Sequence, residues 1–140
     1  MHSDKNVFLW HFLKSKIENR QGKHYRALAH LRQAAKLTEE RSLLGVLQLE
    51  EGRSWEFLGH HSKAEKCYCS CKQHREQAYG TMHPLVLPPL YNLLQLSIKQ
   101  NHKEQAQELR EQIEAVCGKW SKEQVLEWGE LRLGWTVEQF

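Results

Sequence analysis

Three short stretches share one pattern and decide the fold: GKHYRA (22–27), GHHSKA (59–64) and NHKEQA (101–106). Each begins with Gly or Asn, the residues that most readily adopt a left-handed backbone, and ends with an alanine five positions later. Seven positions beyond these alanines come Ala34, Cys71 and Ile113. The recurrence predicts three units of helix, tight turn and helix, with each alanine where the paired helices approach closely.

The segments around these turns are rich in Ala, Leu, Gln, Glu, Lys and Arg, which favour helices, and they carry almost no strand signal. We therefore expect an all-α fold of about seven helices in antiparallel pairs. The predicted helices cover residues 4–20, 25–38, 42–58 and 63–79, a fifth ending near 100, a sixth over 103–117 and a seventh from about 122.

Local signals predict where some of these helices begin and which sides they bury. Ser42 is the expected cap of the third helix, and Ser121 with Gln124 forms a capping-box pattern before the seventh. Pro84 and Pro88 mark the approach to the fifth helix, because proline is tolerated in a first helical turn. On the first helix, the residues expected to form one apolar face are Phe8, Phe12 or Leu13, and Ile17.

Composition narrows the class of protein. The 140 residues fit one domain, long enough to bury a core without metal or disulfide staples. A net charge of +3 is too mild to indicate nucleic acid as the partner. We find no membrane span and no secretory signal, and three of the four cysteines crowd into residues 67–71, so we expect a reducing, cytoplasmic compartment.

The second unit resembles the tetratricopeptide repeat, in which a turn glycine is followed by an alanine, a large residue and a small residue. The matching residues are Gly59, Ala64, Tyr68 and Cys71, and in the first unit Gly22, Ala27, Leu31 and Ala34. The third unit resembles the kinesin-light-chain type of repeat through Gly80, His83, Pro84, Val86, Leu90, Asn92 and Leu93. The resemblance covers roughly residues 5–117.

The resemblance implies one domain over residues 1–140, built as a short right-handed solenoid. Its units would be residues 5–38, 42–79 and 84–117, with a capping segment over 120–140. Two features depart from the family pattern. Pro88 and Pro89 are expected to delay the start of the fifth helix by about a turn, and Arg110 stands where a large apolar residue is usual.

The same resemblance implies a non-catalytic interaction module or adaptor that holds a peptide or partner protein in a concave groove. The groove residues would be Lys16, Asn19, Arg20, Leu49, Arg53, Tyr91, Asn92, Gln95 and Lys99. Four of them are basic and none is acidic, which favours an acidic or carboxylate-bearing partner. Alternatively, they are ordinary solvated charges. Because three repeats are about the minimum for independent stability, self-association or membership of a larger assembly are both compatible with the sequence.

A rival constellation lies within residues 60–74, where Cys67, Cys69 and Cys71 are close to three histidines. Zinc requires converging ligands, but on a helix Cys67 and Cys71 share a face while Cys69 points away. We therefore predict no metal, no cofactor and no enzymatic activity. The alternative is a zinc- or cysteine-dependent activity centred on this segment.

The remaining aromatic and histidine residues support two readings. Trp120, Trp128 and Trp135 belong either to a helix that caps the solenoid or to a hydrophobic patch that binds a partner. The histidines expected at the surface, in the turns, are His24, His60, His61 and His102. His83, which precedes Pro84, is expected to be structural.

Overall fold

A computed structural model describes residues 4–125 and 127 of the chain. Its helices are α1 (Asp4–Arg20), α2 (His24–Ala35), α3 (Arg41–Phe57), α4 (His61–Tyr79), α5 (Leu87–Lys99) and α6 (Lys103–Lys119), with one 3-10 turn at Pro84–Val86. This part of the chain contains no strand, so the all-α prediction is confirmed. None of its helices is both long enough and apolar enough to cross a bilayer.

The three predicted turns share one backbone geometry. Gly22, Gly59 and Asn101 have φ values of +80°, +83° and +60°, in the left-handed region. At each turn the next amide donates back across the helix end, from Lys23 to the Glu18 carbonyl (2.8 Å), His60 to Trp55 (2.9 Å) and His102 to Ser97 (2.9 Å). These bonds define a Schellman motif, which satisfies carbonyls that the helix end leaves open. The predicted turn chemistry is confirmed.

The alanines of the pattern are buried, as predicted. Ala27 and Ala64 are fully buried and Ala106 is 3% exposed. In the first two repeats the residues four and seven positions after the alanine are also buried. In the third repeat these residues are Arg110, which is exposed, and Ile113, which is half-buried. The third repeat therefore has the same turn as the other two, but its second helix is more exposed.

The chain divides into two compact units, Met1–Cys71 and Lys72–Phe140, and the division falls inside α4. In the first unit α2 packs against both α1 and α3. The centre of this packing is a buried cluster of Phe8, Leu31, Ala34 and Leu47. Farther along α3, Gly52 lies directly under the ring of Tyr68 from α4, which explains a glycine in mid-helix.

The apolar face predicted for α1 is only partly correct. Phe8 is buried and Phe12 half-buried, but Leu13 and Ile17 are 49% and 51% exposed. The buried side of α1 instead carries the polar residues Ser15, Glu18 and Asn19. Ser15 Oγ donates to the Phe12 carbonyl at 2.6 Å and Asn19 Nδ2 to Glu50 at 2.7 Å, while Glu18 Oε1 lies 3.0 Å from His30 Nε2. Burial on this side therefore follows polar contacts as well as hydrophobicity.

In the second unit α5 packs against α6, and the segment before α5 is held by side chains. His83 caps the 3-10 turn, because its Nδ1 accepts a hydrogen bond from the Leu85 amide at 3.1 Å. The buried Arg75 guanidinium donates to the Leu85 carbonyl at 2.9 Å. Burial lowers the pKa of His83, in keeping with the structural role expected for it.

Helix starts differ from the predictions where the expected cap is absent. Ser42 lies inside α3, whose N-cap is Glu40 without a side-chain cap bond. By contrast, the capping box before the seventh helix is formed: the Ser121 amide donates to Gln124 Oε1 (2.8 Å) and the Gln124 amide to Ser121 Oγ (3.2 Å). The two prolines Pro88 and Pro89 occupy the first turn of α5, after the 3-10 turn.

Candidate partner-binding site

The predicted groove residues fall into both units. In the first unit they are Lys16, Asn19, Arg20, Leu49 and Arg53, and in the second Tyr91, Asn92, Gln95 and Lys99. In the first unit, Lys16 and Asn19 on α1 and Arg53 on α3 meet around one side chain that the sequence analysis did not include, the buried carboxylate of Glu50.

Glu50 on α3 accepts hydrogen bonds from three predicted residues. Asn19 Nδ2 lies 2.7 Å from Glu50 Oε2, and Lys16 Nζ and Arg53 NH1 each lie 3.4 Å from Glu50 Oε1. Ser54, one turn along α3, donates its hydroxyl to Asn19 Oδ1 at 2.9 Å. We call Lys16, Asn19, Glu50, Arg53 and Ser54 the Glu50 cluster.

The surroundings shift the pKa values of two members of the cluster, Glu50 and Lys16. Burial alone would raise the pKa of Glu50, but the Lys16 charge, the Asn19 hydrogen bond and the Arg53 charge outweigh burial and hold that pKa below its ordinary value. Burial lowers the pKa of Lys16, and the charges of Arg53 and Arg20 act in the same direction while Glu50 opposes them. The cluster is therefore a buried ion pair with a second cation in contact and a third nearby.

Two cations contact one buried carboxylate at this site. Lys16 and Arg53 share one carboxylate, and the nearby Arg20 is exposed. The side chains of Lys16 and Arg53 keep 19% and 22% of their surface accessible, whereas that of Glu50 keeps 6%. The accessible part of the site is therefore cationic, and its carboxylate lies beneath.

Two residues at this site differ from their predicted roles. Leu49 is only 4% exposed, so its side chain belongs to the core and is not available to a ligand. His24 is half-buried and not a plain surface residue: its Nδ1 lies 2.9 Å from Asn19 Oδ1, and its ring stacks on Phe57 with centroids 5.0 Å apart. His24 thus connects the Glu50 cluster to an exposed aromatic ring.

In the second unit the predicted groove residues lie along α5. Tyr91 is 39% exposed, Lys99 is exposed and Gln95 is half-buried. Asn92 donates from Nδ2 to the Pro88 carbonyl at 2.9 Å, one turn earlier in the same helix. Prolines lack a backbone N–H, so backbone carbonyls near them can be left without a donor. Asn92 supplies such a donor to the Pro88 carbonyl and therefore helps to stabilise the start of α5.

The cysteines of α4 have the environment of core residues. Cys71 is buried and Cys67 and Cys69 are half-buried. Burial, with the Glu51 charge and Cys71 adding to it, raises the pKa of Cys67 to about 12. Such a thiol is protonated near neutral pH and is a poor nucleophile or metal ligand. Among the described residues, no three His, Cys, Asp or Glu side chains form a group that could hold a metal ion.

Of the predicted tryptophan patch, the structure describes Trp120; Trp128 and Trp135 lie outside the described residues. Trp120 is half-buried, and its Nε1 donates to the Met82 carbonyl at 2.6 Å. Its ring meets that of His83 edge-on, with centroids 5.7 Å apart. Trp120 therefore anchors the end of α6 to the loop before α5.

The sequence contained a signal for Glu50 that the groove prediction did not use. Glu50 lies three residues before Arg53 on the same helix, a spacing at which opposite charges meet. In the structure it stands among the buried residues Leu49 and Gly52, where an acid requires a partner. Ser54 carries no comparable signal, because serine is common on helices of any exposure.

Comparison of the chain with protein-family models, curated proteins and solved structures gives no match.

Proposed function

We propose that this chain is a non-catalytic protein-interaction module that binds an acidic segment of a partner protein at the cationic surface over the Glu50 cluster. The observation that carries the proposal is the placement of Lys16 and Arg53, two partly accessible cations, on one buried carboxylate. The exposed Arg20 adds positive charge beside them.

The cluster is suited to a carboxylate because it already holds one. Asn19, Lys16 and Arg53 present donors that point to a common centre, and their own hydrogen bonds to Glu50 keep them in place. A site whose donors are ordered before binding loses less entropy when a ligand arrives. A ligand carboxylate would approach the accessible sides of the two cations and form charge-assisted hydrogen bonds.

A tetratricopeptide-like organisation of the chain belongs to the same proposal. It is supported by the three equivalent Schellman turns, by the buried alanines that follow them and by the fit of Gly52 against Tyr68. We propose the cytoplasm as the compartment because the half-buried and exposed thiols are free cysteines, which a reducing environment preserves.

The experiment measures binding of a fluorescent, flexible peptide composed of Glu, Asp, Gly and Ser. Arg20→Glu reverses an exposed charge without removing a Glu50 hydrogen bond, so helicity should be unchanged while affinity falls by about tenfold or more, or about 1.4 kcal/mol. Affinity of the wild type should also fall as salt rises, because charges near the surface are screened over about 8 to 10 Å at physiological ionic strength.

The matched control is Arg26→Glu, which makes the same charge change at an exposed position on α2. It should have a clearly smaller effect than Arg20→Glu. Equal losses in the two variants would contradict the proposed site. Loss of binding only in Trp128→Ala and Trp135→Ala, with no salt dependence, would instead favour the hydrophobic patch.

A further inference from the structure

The outer side of α1 is more apolar than its buried side. Val7, Trp10, Leu13 and Ile17 are 44%, 55%, 49% and 51% exposed. The opposite side buries Ser15, Glu18 and Asn19 along with Phe8. A surface helix normally directs its apolar stripe to the core and its polar side to water. On α1 this arrangement is reversed, and an apolar side is exposed.

Leu9 is also 50% exposed, and the other four exposed apolar residues of α1 form one stripe. They follow one another at intervals of three, three and four residues, the spacing that places side chains on one side of a helix. From Val7 to Ile17 the stripe is roughly 15 Å long at about 1.5 Å per residue. We call Val7, Trp10, Leu13 and Ile17 the α1 stripe. Its length and spacing match the anchors through which two helices pack side by side.

The largest member of the α1 stripe is held in position. The ring of Trp10 meets His11 and His30 edge-on, with centroids 5.0 and 5.3 Å away. The two histidines are joined through their Nδ1 atoms at 3.0 Å, and His30 Nε2 lies 3.0 Å from Glu18 Oε1. An exposed tryptophan with a fixed ring is the kind of residue that anchors an interface at little entropic cost.

The exposed charges on α1 distinguish between two possible partners of the stripe, a second copy of this chain and an acidic helix. Among residues 6–20 the exposed charged side chains are Lys14 and Arg20, both positive. Lys14 lies four residues after Trp10, and Arg20 three after Ile17, so both are on the side of the helix that carries the stripe. A second copy packed through the same side would oppose like charges, which disfavours self-association. An acidic helix would meet opposite charge at both Lys14 and Arg20.

We infer that the α1 stripe binds an amphipathic helix of a partner protein, with aliphatic residues at three- and four-residue intervals and acidic residues beside them. This rests on the proposed function as a protein-binding module, but it assigns a surface whose apolar anchors are not part of the Glu50 cluster. The apolar anchors of the helix site are therefore separate from the Glu50 cluster, whereas Arg20 supplies positive charge to both sites.

The test uses two designed helical peptides with the same leucine positions, one flanked by Glu and the other by Lys. The wild type should bind the Glu peptide at least about tenfold more tightly than the Lys peptide. Trp10→Ala and Leu13→Ser should each weaken the Glu peptide by about tenfold. Ile98→Ser is the matched control, because Ile98 on α5 is 48% exposed and Leu13 is 49% exposed. It should leave affinity unchanged.

Three results would overturn the inference: equal affinity for both peptides, equal losses in Leu13→Ser and Ile98→Ser, or a wild-type dimer in sedimentation that Leu13→Ser dissociates. The last result would assign the stripe to a second copy. Binding of the flexible acidic peptide should be unchanged in Leu13→Ser. Failure of the inference and failure of the proposed function are thus seen separately.

Discussion

Glu50 and Glu51 are adjacent in α3, yet their surroundings move their pKa values in opposite directions. The pKa of Glu50 is lowered because Lys16, Asn19 and Arg53 outweigh the effect of burial. The pKa of Glu51 is raised because burial outweighs the single opposing charge of Arg32. One glutamate is therefore stabilised as a charge by folding, and its neighbour is destabilised as a charge.

This contrast predicts opposite outcomes for two isosteric changes. Glu50→Gln removes the negative charge and places amide hydrogens against the donors of Lys16, Asn19 and Arg53. It should lower the free energy of unfolding at neutral pH by about 1 to 3 kcal/mol. Glu51→Gln removes a charge that is costly to bury, so stability should be unchanged or higher. Urea unfolding of both variants, followed by circular dichroism, measures the difference.

The pH dependence gives the same prediction a second readout. Because the folded-state pKa of Glu50 is below its ordinary value of 4.5, its stabilisation is present above about pH 4.5 and is lost as pH falls through the folded-state value. Glu50→Gln should therefore lose less stability on acidification than the wild type. An acid limb identical in the two proteins, or equal neutral stability of both Gln variants, would contradict the role of the cluster.

At the scale of elements, α3 and α4 approach each other closely at Gly52. A Cβ at Gly52 would lie 2.6 Å from Cδ1 of Tyr68, inside the van der Waals distance. Tyr68 itself is fully buried, and its hydroxyl donates to Glu56 Oε1 at 2.7 Å. The ring is therefore confined at both ends and has little room to give way to a larger residue.

Gly52→Ala should accordingly destabilise the protein by about 1 to 3 kcal/mol, despite the higher helix propensity of alanine. The matched control is Gly118→Ala in α6, where an added Cβ would have no neighbour within 4 Å. That change should be neutral or stabilising by up to about 1 kcal/mol. Thermal unfolding distinguishes the two. A Gly52→Ala protein as stable as Gly118→Ala would show that the helix crossing is looser than described.

The elements also show where sequence reasoning succeeds and where it fails. The turns were predictable because a left-handed backbone strongly selects Gly or Asn, as at Gly22, Gly59 and Asn101. The buried side of α1 could not be predicted from the sequence, because this helix carries apolar residues on two sides. Which side is covered depends on hydrogen-bond partners such as Glu50, which lies 31 positions from Asn19 in the chain.

At the scale of the whole molecule, fold class and repeat pattern followed from local chemistry, whereas the candidate site did not. Four basic residues were predicted to line a groove for an acidic partner, and the structure places two of them, Lys16 and Arg53, against the buried Glu50. Burial and pairing between distant helices decide that difference, and single-helix patterns do not encode it. The α1 stripe likewise depends on which side of the helix is exposed, and the sequence pattern alone does not give that exposure.

The central claim is that the cationic surface over the Glu50 cluster binds acidic protein segments. Its most direct test is a nuclear magnetic resonance titration of the labelled protein with the flexible acidic peptide, observing side-chain signals of arginine and tryptophan. The account predicts that the guanidinium signals of Arg20 and Arg53 move with the peptide and return when salt is added. Movement of the indole signals of Trp128 and Trp135, with both arginine signals unchanged, would contradict it.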